Sequence, residues 1–211
     1  MQSQQPTVFL LDDEATVLKI VGSRLRAAGF VVVEFTAAAE FLASYNPAVP
    51  GCLVLDMAMP GVSGLDVQQH LAALGSEMPI IFFSGSADVP MCVQAMKCGA
   101  VDFLTKSAPH ADLVTAVGKA LEYDWQARQR RVELDDIQSR IASLTPRERT
   151  VLAHLVTGKL NKQIAGDLGT AEKTIKVHRG RVMVKMRVVS VAELVRLVAK
   201  CGPSFPSVDG L

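Results

Sequence analysis

The chain has 211 residues, of which 49% are hydrophobic and 20% are charged, and its formal net charge is +1. This composition predicts a folded protein with one large or two modest domains, and it excludes an intrinsically disordered chain. No uncharged stretch reaches the roughly 18–20 residues of a membrane span, and the N-terminus shows no secretory signal. We therefore expect a cytoplasmic protein without a membrane segment. The cysteines show neither metal-ligand spacing nor a disulfide framework, so free thiols are expected.

The first 123 residues alternate the signals of β-strands and α-helices. Short apolar runs bounded by turn residues predict buried parallel strands at residues 8–11, 30–35, 52–55, 80–83 and 101–104. Amphipathic stretches predict helices around residues 17–25, 37–45, 65–74 and 89–97, and a fifth helix from about residue 111. Five strand–helix units in series predict an α/β domain over residues 1–123, with a doubly wound, five-stranded parallel sheet.

The rest of the chain has a different pattern. Residues 124–143 are polar and favour a helix, which predicts a helical linker that can continue the fifth helix. From residue 144 the apolar spacing is helical throughout, with helices expected from residue 146, at 162–168, at 170–186 and at 191–200. Thr145 and Asn161 are the predicted N-caps of the first two. A second, all-α domain is therefore expected over residues 144–201, followed by a disordered tail over 202–211.

Charge is distributed unevenly between these regions. Residues 1–124 contain 6 Lys/Arg and 13 Asp/Glu, whereas residues 144–200 contain 12 Lys/Arg and 4 Asp/Glu. The first region can attract a divalent cation and the second can attract a polyanion, although ordinary surface charge explains the same numbers.

Polar side chains follow four of the predicted strands. Asp12 and Asp13, Asp56, Ser84 and Lys106 stand at or just beyond the strand ends. In an open α/β sheet, ligands bind outside the carboxyl ends of the strands, so these groups are expected to meet at one edge. Carboxylates are ligands for Mg²⁺, and a carboxylate can also act as a nucleophile that forms an aspartyl phosphate. Lys106 and Ser84 would then neutralise or bind the other phosphoryl oxygens.

These motifs resemble the receiver domain of two-component response regulators, a flavodoxin-like fold. The matching segments are Leu11-Asp12-Asp13-Glu14, Leu55-Asp56-Met57-Ala58-Met59-Pro60-Gly61, Phe83-Ser84-Gly85 and Phe103-Leu104-Thr105-Lys106. The resemblance implies that Asp56 is the phosphoacceptor and that a sensor histidine kinase is the partner. It also implies an Mg²⁺ (or Mn²⁺) ion held by Asp12, Asp13, Asp56 and the backbone carbonyl of Ala58. Ser84, Phe103 and Lys106 are the switch and phosphoryl-binding residues that it implies.

Two positions depart from the receiver pattern. Ser107 follows Lys106 where the family usually has proline, so that loop can differ in conformation or in peptide-bond isomer. Ala58 stands where many relatives have a longer polar side chain, which can alter the lifetime of the phosphoryl group in a direction that the sequence does not determine.

The second domain resembles the LuxR-type helix-turn-helix output domain of FixJ/NarL-type regulators. The matching segments are Leu144-Thr145-Pro146-Arg147-Glu148, Asn161-Lys162-Gln163-Ile164-Ala165 and Thr174-Ile175-Lys176-Val177-His178. The resemblance implies that residues 170–186 form the recognition helix and that Lys176 and Val177 face the major groove, where they can contact guanine and a thymine methyl. The other implied DNA contacts, mostly to phosphates, are Lys162, Lys173, Thr174, Arg179, Arg181 and Lys185.

Gly180 is unusual in the middle of the recognition helix, where glycine costs about 1 kcal/mol relative to alanine. Some relatives have a long base-reading side chain there. Either this chain contacts fewer bases or the glycine permits a closer approach to DNA, and the sequence leaves both open. His178 belongs to the same motif, and a structural role is expected for it.

The function expected from the sequence is that of a response regulator rather than an enzyme, with at most weak autophosphatase activity. Phosphorylation of Asp56 would control homodimerisation and binding to double-stranded promoter DNA, with RNA polymerase as a candidate further partner. One alternative is a constitutive DNA-binding regulator whose receiver is not phosphorylated. Another is an aspartyl phosphatase, but Ala58 stands where such enzymes commonly have a second Asp. A serine hydrolase is disfavoured because Phe82 replaces the glycine of a nucleophile elbow.

Overall fold

The computed structural model describes residues 5–85 and 89–202. The chain divides after Arg128 into two compact units, which are described separately below. The predicted tail falls almost entirely on residues 203–211, which lie outside the described residues. Within the described part of the chain, no helix is both long enough and apolar enough to cross a membrane.

The first unit contains the predicted five-stranded parallel sheet. Its strands are β1 (Thr7–Leu11), β2 (Val31–Phe35), β3 (Gly51–Leu55), β4 (Ile80–Ser84) and β5 (Asp102–Thr105), in the order β2-β1-β3-β4-β5. The helices are α1 (Ala15–Ala27), α2 (Ala38–Ser44), α3 (Gly64–Ala73), α4 (Val89–Lys97) and α5 (His110–Ala142), of which α5 continues past Arg128 into the second unit. The predicted α/β class and strand number are confirmed. Leu11 pairs with Leu55, so β1 and β3 end side by side and bring the residues that follow them together.

Two apolar cores cover the two faces of the sheet. Side chains alternate along a strand, so Leu10 and Val54 face one layer, whereas Leu11 and Leu55 face the other. The first layer contains buried residues of α1 and α5, and the second contains buried residues of α2, α3 and α4. Helices on both faces explain why β1, β3 and β4 are almost continuously apolar, as expected for a doubly wound sheet.

The start of α3 is packed against the end of β3. Ser63 caps the helix: the Asp66 N–H donates to Ser63 Oγ at 3.2 Å, and the Ser63 N–H donates to Asp66 Oδ2 at 2.9 Å. Gly64 comes next, and its N–H donates to the Met57 carbonyl at 2.9 Å. A Cβ atom at Gly64 would lie 2.4 Å from the carbonyl oxygen of Asp56, so only glycine permits this approach.

Helix α5 extends far beyond the sheet as one helix of 33 residues. Asp124, which is buried, accepts hydrogen bonds from the Gly51 N–H at 2.9 Å and from Arg128 Nε at 2.8 Å. Arg128 also donates to the carbonyl oxygens of Ala48 and Val49. The expected linker therefore continues α5, and residue 124 is held within the first unit. The domain boundaries drawn from the sequence stay predictions.

The second unit contains α6 (Pro146–Val156), α7 (Asn161–Asp167), α8 (Glu172–Met186) and α9 (Val191–Ala199) around one apolar core. The capping box at Thr145 and Glu148 forms as predicted. The prediction that Asn161 caps α7 is wrong: Asn161 is the first helical residue, and Leu160 occupies the N-cap position, where its N–H donates to Gln163 Oε1 at 2.8 Å. Helix α8 begins two residues later than predicted, at Glu172, and α9 ends one residue earlier, at Ala199.

Candidate functional site

Three aspartates meet at the carboxyl ends of β1 and β3. One carboxylate oxygen from each of Asp12, Asp13 and Asp56 lies within 4.8 Å of the others. Asp12 and Asp56 are buried, with exposed fractions of 1% and 5%, whereas Asp13 is exposed. Such a cluster of oxygen ligands, open to solvent on one side, suits a hard divalent cation that retains some of its water.

Lys106 joins this cluster from the end of β5. Its Nζ atom lies 2.7 Å from Asp12 Oδ2 and 3.0 Å from Asp56 Oδ2. It lies 3.0 Å from Glu14 Oε1 as well, so the ammonium contacts three carboxylates. Glu14 was quoted in the family motif but not predicted as a site residue. Its position directly after two aspartates was the available signal.

Burial and ion pairing shift the pKa values of Asp12, which is buried, and Lys106, which is partly buried. Burial raises the pKa of the Asp12 carboxyl, although the hydrogen bonds from Lys106 and from the Glu14 N–H lower it in part. For Lys106, burial works against the charged form, but the hydrogen bonds to Asp12, Glu14 and Asp56 outweigh it and raise the lysine pKa. Lys106 is therefore charged at neutral pH and can neutralise an anion at this position.

The predicted switch residues lie on the neighbouring strands. Ser84, the last residue of β4, is 1% exposed, and its carbonyl accepts a hydrogen bond from the Lys106 N–H at 2.7 Å. Phe103 on β5 is half-buried and stacks on Phe82 with a ring-centroid distance of 6.0 Å. The structure thus brings Ser84 and Lys106 together through the backbone and places Phe103 in the layer that includes α3 and α4.

The two departures from the receiver pattern have different consequences. Ala58 is exposed, and its N–H donates a long hydrogen bond of 3.4 Å to Asp56 Oδ1. No peptide bond in the described ranges 5–85 and 89–202 is cis, and this includes the bond between Lys106 and Ser107. The Ser107 hydroxyl lies 3.0 Å from Thr105 Oγ1, a contact that a proline at this position could not make.

Helix α8 presents one polar face to solvent. Its core side contains Ile175, Val182 and Met186, whereas Lys173, Thr174, Lys176, Val177 and Arg181 are exposed. Lys162 of α7 is exposed as well. At Gly180 an added Cβ atom would meet nothing within 4 Å, so this position leaves a gap in the exposed face.

Two predicted DNA-contacting residues have partners inside the second unit. Arg179 Nη1 donates to Asn161 Oδ1 at 3.2 Å, which joins α8 to α7. Lys185 Nζ lies 2.7 Å from Glu148 Oε2 and donates to the Ser143 carbonyl at 3.0 Å. Glu148 is 2% exposed, and the hydrogen bond from Lys185 is the main reason that its pKa falls to about 2. Lys185 thus neutralises a buried carboxylate that also caps α6.

Both parts of the chain match models of known protein families. The family model described as the response regulator receiver domain matches residues 8–118, which is more than half of the chain. The chain belongs to the response-regulator family. A second model, described as bacterial regulatory proteins of the luxR family, matches residues 142–198 of this response regulator. Both resemblances drawn from the sequence are confirmed.

Individual relatives match this response regulator over nearly its whole length. It is 43% identical over 202 residues to nodulation protein W of Bradyrhizobium diazoefficiens, covering 96% of this chain and 89% of the relative. It is 40% identical over 195 residues to the transcriptional regulatory protein FixJ of Azorhizobium caulinodans, covering 92% of each. The solved structure of the response regulator StyR superposes with a TM-score of 0.83 at 45% identity, covering 93% of this chain and 99% of that one.

The family assignment establishes the general role of the protein. It is a transcription regulator that combines a receiver domain with a LuxR-type DNA-binding domain. Regulators with this combination are generally not enzymes.

Proposed function

We propose that this response regulator accepts a phosphoryl group on Asp56 from a sensor histidine kinase, and that the modification controls its binding to promoter DNA. One observation supports the proposal most strongly. The Lys106 ammonium contacts both Asp12 and Asp56 in a pocket that also contains Asp13 and the end of β4. A nucleophilic carboxylate, a charge-neutralising cation and two further acidic ligands therefore share one site.

The transfer step uses these residues in distinct roles. An Asp56 carboxylate oxygen attacks the phosphorus of a phosphohistidine, the new bond is an acyl phosphate, and the kinase histidine leaves with the electrons of the broken P–N bond. Lys106 neutralises one phosphoryl oxygen and the Ser84 hydroxyl binds another. Asp12, Asp13, Asp56 and the Ala58 carbonyl would hold Mg²⁺ or Mn²⁺, which supplies positive charge for the remaining phosphoryl oxygen.

Phosphorylation then acts as a switch through charge. The phosphoryl group adds about −1.5 to −2 charge at Asp56, and Lys106 and Ser84 are the groups that respond to it. Phe103 packs on Phe82 and follows Ser84 inward, which favours the second of two receiver states. We propose that this state forms a homodimer, whose twofold symmetry matches paired half-sites on DNA.

Helix α8 is the proposed recognition element on promoter DNA. Lys176 would hydrogen-bond a guanine edge, and Val177 would contact a thymine methyl group. Phosphate contacts are assigned to the remaining predicted set, which is Lys162, Lys173, Thr174, Arg179, Arg181 and Lys185. Of these, Arg179 and Lys185 would have to contact DNA while also holding Asn161 and Glu148. RNA polymerase is a further proposed partner, and the cytoplasm is the proposed location.

The test is intact-mass spectrometry of the full-length protein after incubation with Mg²⁺ and acetyl phosphate. The wild type should gain a single phosphoryl adduct, and Asp56→Asn should gain none because the nucleophilic carboxylate is absent. Asp112→Asn is the matched control, since Asp112 is an exposed carboxylate in the first turn of α5 and should leave labelling unchanged.

Two outcomes would contradict the proposal. Labelling that survives Asp56→Asn would place the phosphoacceptor elsewhere. An unlabelled wild type, measured beside a receiver domain that is labelled under the same conditions, would favour the constitutive DNA-binding alternative. In that case the loop that follows Lys106 would be the first region to examine.

A further inference from the structure

A cleft of about 150 Å³ lies beside the recognition helix, within the second unit. It opens between the first turns of α6, the turn from α7 to α8 and the N-terminal half of α8. Its polar wall is formed by Arg147, Thr170, Thr174 and His178, and its apolar floor includes Val151 and Ile175. Thr174 is the one residue among these with a DNA contact predicted from the sequence, whereas Arg147 and Thr170 have had no role so far.

The cleft lies beside the face of α8 that would read the bases. Successive residues of an α-helix are turned by about 100°. Val177 is exposed on the face that would enter the groove, and Ile175 is on the buried side. Thr174 and His178, one turn apart, lie between these two sides and are directed toward α6. In a major-groove complex, the DNA backbone passes along such a flank of the recognition helix.

The polar groups of the cleft are available to a ligand. Arg147 is exposed, and within the described ranges its guanidinium has no hydrogen bond or ion pair. His178 Nδ1 is buried without a hydrogen-bond partner among the described residues, so Nε2 is the ring nitrogen left to donate to a ligand. One charged donor, two hydroxyls and an imidazole thus line the same cleft, next to an apolar floor.

We propose that this cleft binds one sugar–phosphate unit of the DNA backbone, with Arg147 as its charged contact. The inference rests on the proposed DNA-binding role of α8. The Arg147 guanidinium pairs with the phosphate, and the hydroxyls of Thr170 and Thr174 and the His178 imidazole donate to its oxygens. Leu168, which also lines the cleft and is only partly buried, is the apolar contact for the deoxyribose carbons, since Val151 and Ile175 are each only 1% exposed.

The first experiment is a methylphosphonate scan. A target duplex is selected from a random pool with the full-length protein treated with Mg²⁺ and acetyl phosphate, and each phosphate is then replaced in turn by a neutral methylphosphonate. One phosphate in each half-site should weaken binding of the wild type when neutralised and have no effect on Arg147→Gln. If no position loses its effect in the variant, Arg147 does not contact a phosphate and the proposal is overturned.

The second experiment is the salt dependence of binding. Each neutralised phosphate contributes about 0.9 to the slope of log affinity against log salt concentration. A dimer carries one Arg147 for each half-site, so the variant loses two phosphate contacts and its slope should change by about 1.8. Between 50 and 200 mM salt, the affinity of Arg147→Gln should therefore fall about 12-fold less than that of the wild type, equally on target and random DNA. Thr174→Val should weaken binding without changing the slope, because a hydroxyl releases no counterion.

Arg196→Gln is the matched control, because Arg196 is an exposed arginine of the same unit that lies on α9, outside the cleft. It should leave the slope unchanged. Equal slopes for Arg147→Gln and the wild type would overturn the proposal while leaving the DNA-binding function intact. A wild type that binds no duplex in the selection would overturn the DNA-binding function itself, and the cleft proposal with it.

Discussion

The acidic pocket and helix α8 are both charged surfaces, but they differ in how their side chains are held. In the pocket, Asp12, Asp56 and Lys106 are largely buried and contact one another. On α8, Lys173, Lys176 and Arg181 extend into solvent. The pocket is therefore held together by its own contacts, whereas the side chains on the exposed face of α8 have few contacts within the protein. Substitutions should affect folding and phosphorylation together at the first site, and DNA binding alone at the second.

Lys185 is an exception to this comparison, because it belongs to α8 but pairs with the buried Glu148. Lys185→Met should lower the free energy of unfolding by about 3 kcal/mol, the lower end for removing one partner of a buried pair, since the lysine is partly exposed. Urea unfolding measures this, and Lys173→Met, on the exposed face, is the control. A loss as small as that of Lys173→Met would show that the pair adds nothing to stability.

The same variant should change the response to acid. The pKa of Glu148 is lowered to about 2 from 4.5, so its ionised form stabilises the folded state fully above pH 4.5, and this contribution is lost as the pH falls toward 2. In Lys185→Met the lowering largely disappears, and with it this part of the acid dependence. Unfolding measured between pH 5 and 3 should therefore show a shallower loss of stability in the variant than in the wild type.

Lys176 tests the other half of the comparison, because it is exposed on α8 and should affect DNA binding but not folding. Lys176→Ala should weaken binding to a selected target duplex by about 2 kcal/mol, the usual cost of losing one base contact, and leave the unfolding free energy unchanged. Fluorescence anisotropy on target and random duplexes makes the measurement. An equal loss on both duplexes would reassign Lys176 to a phosphate contact.

Val177 should give the smallest effect. Replacing the contacted thymine by uracil removes one methyl group and should weaken binding by about 0.8 kcal/mol, the value for one buried methylene-sized group. With Val177→Ser the two duplexes should bind equally, because the apolar partner is absent. A thymine preference that persists in the variant would show that another residue contacts the methyl group.

The sequence was sufficient to predict the fold and the convergence of the acidic site, for a physical reason. Parallel strands have their carboxyl ends at one edge of a sheet. The residues that directly follow the strands therefore lie close together, irrespective of the conformation of the loops. Asp12, Asp13, Asp56 and Lys106 come together in this way. The helix periods and the capping box at Thr145 depend only on neighbours within a few residues, and they were predictable for that reason.

What the sequence could not show depends on contacts between distant residues. Glu14 reaches Lys106 across 92 positions, and Lys185 reaches Glu148 across 37. No local pattern indicates such partners, so Glu14 was missed and Lys185 was assigned to DNA alone. The Asn161 cap was predicted from a residue preference, but the helix begins one residue earlier and the Asn161 side chain accepts a hydrogen bond from Arg179. The cleft at Arg147 could not be predicted for the same reason, because its lining residues come from α6, α8 and the turn that follows α7.

The contact between Gly64 and the end of β3 has a mechanical consequence. Because a Cβ atom at Gly64 would lie only 2.4 Å from the carbonyl oxygen of Asp56, the proposed phosphoacceptor, the backbone of α3 rests directly on the end of β3. This side of the pocket is a rigid wall, with no side chain between the two segments to repack. In contrast, α4 buries only Ala95 among its described residues. If Asp56 is phosphorylated as proposed, we expect the resulting strain to be relieved toward β4, β5 and α4 rather than toward α3.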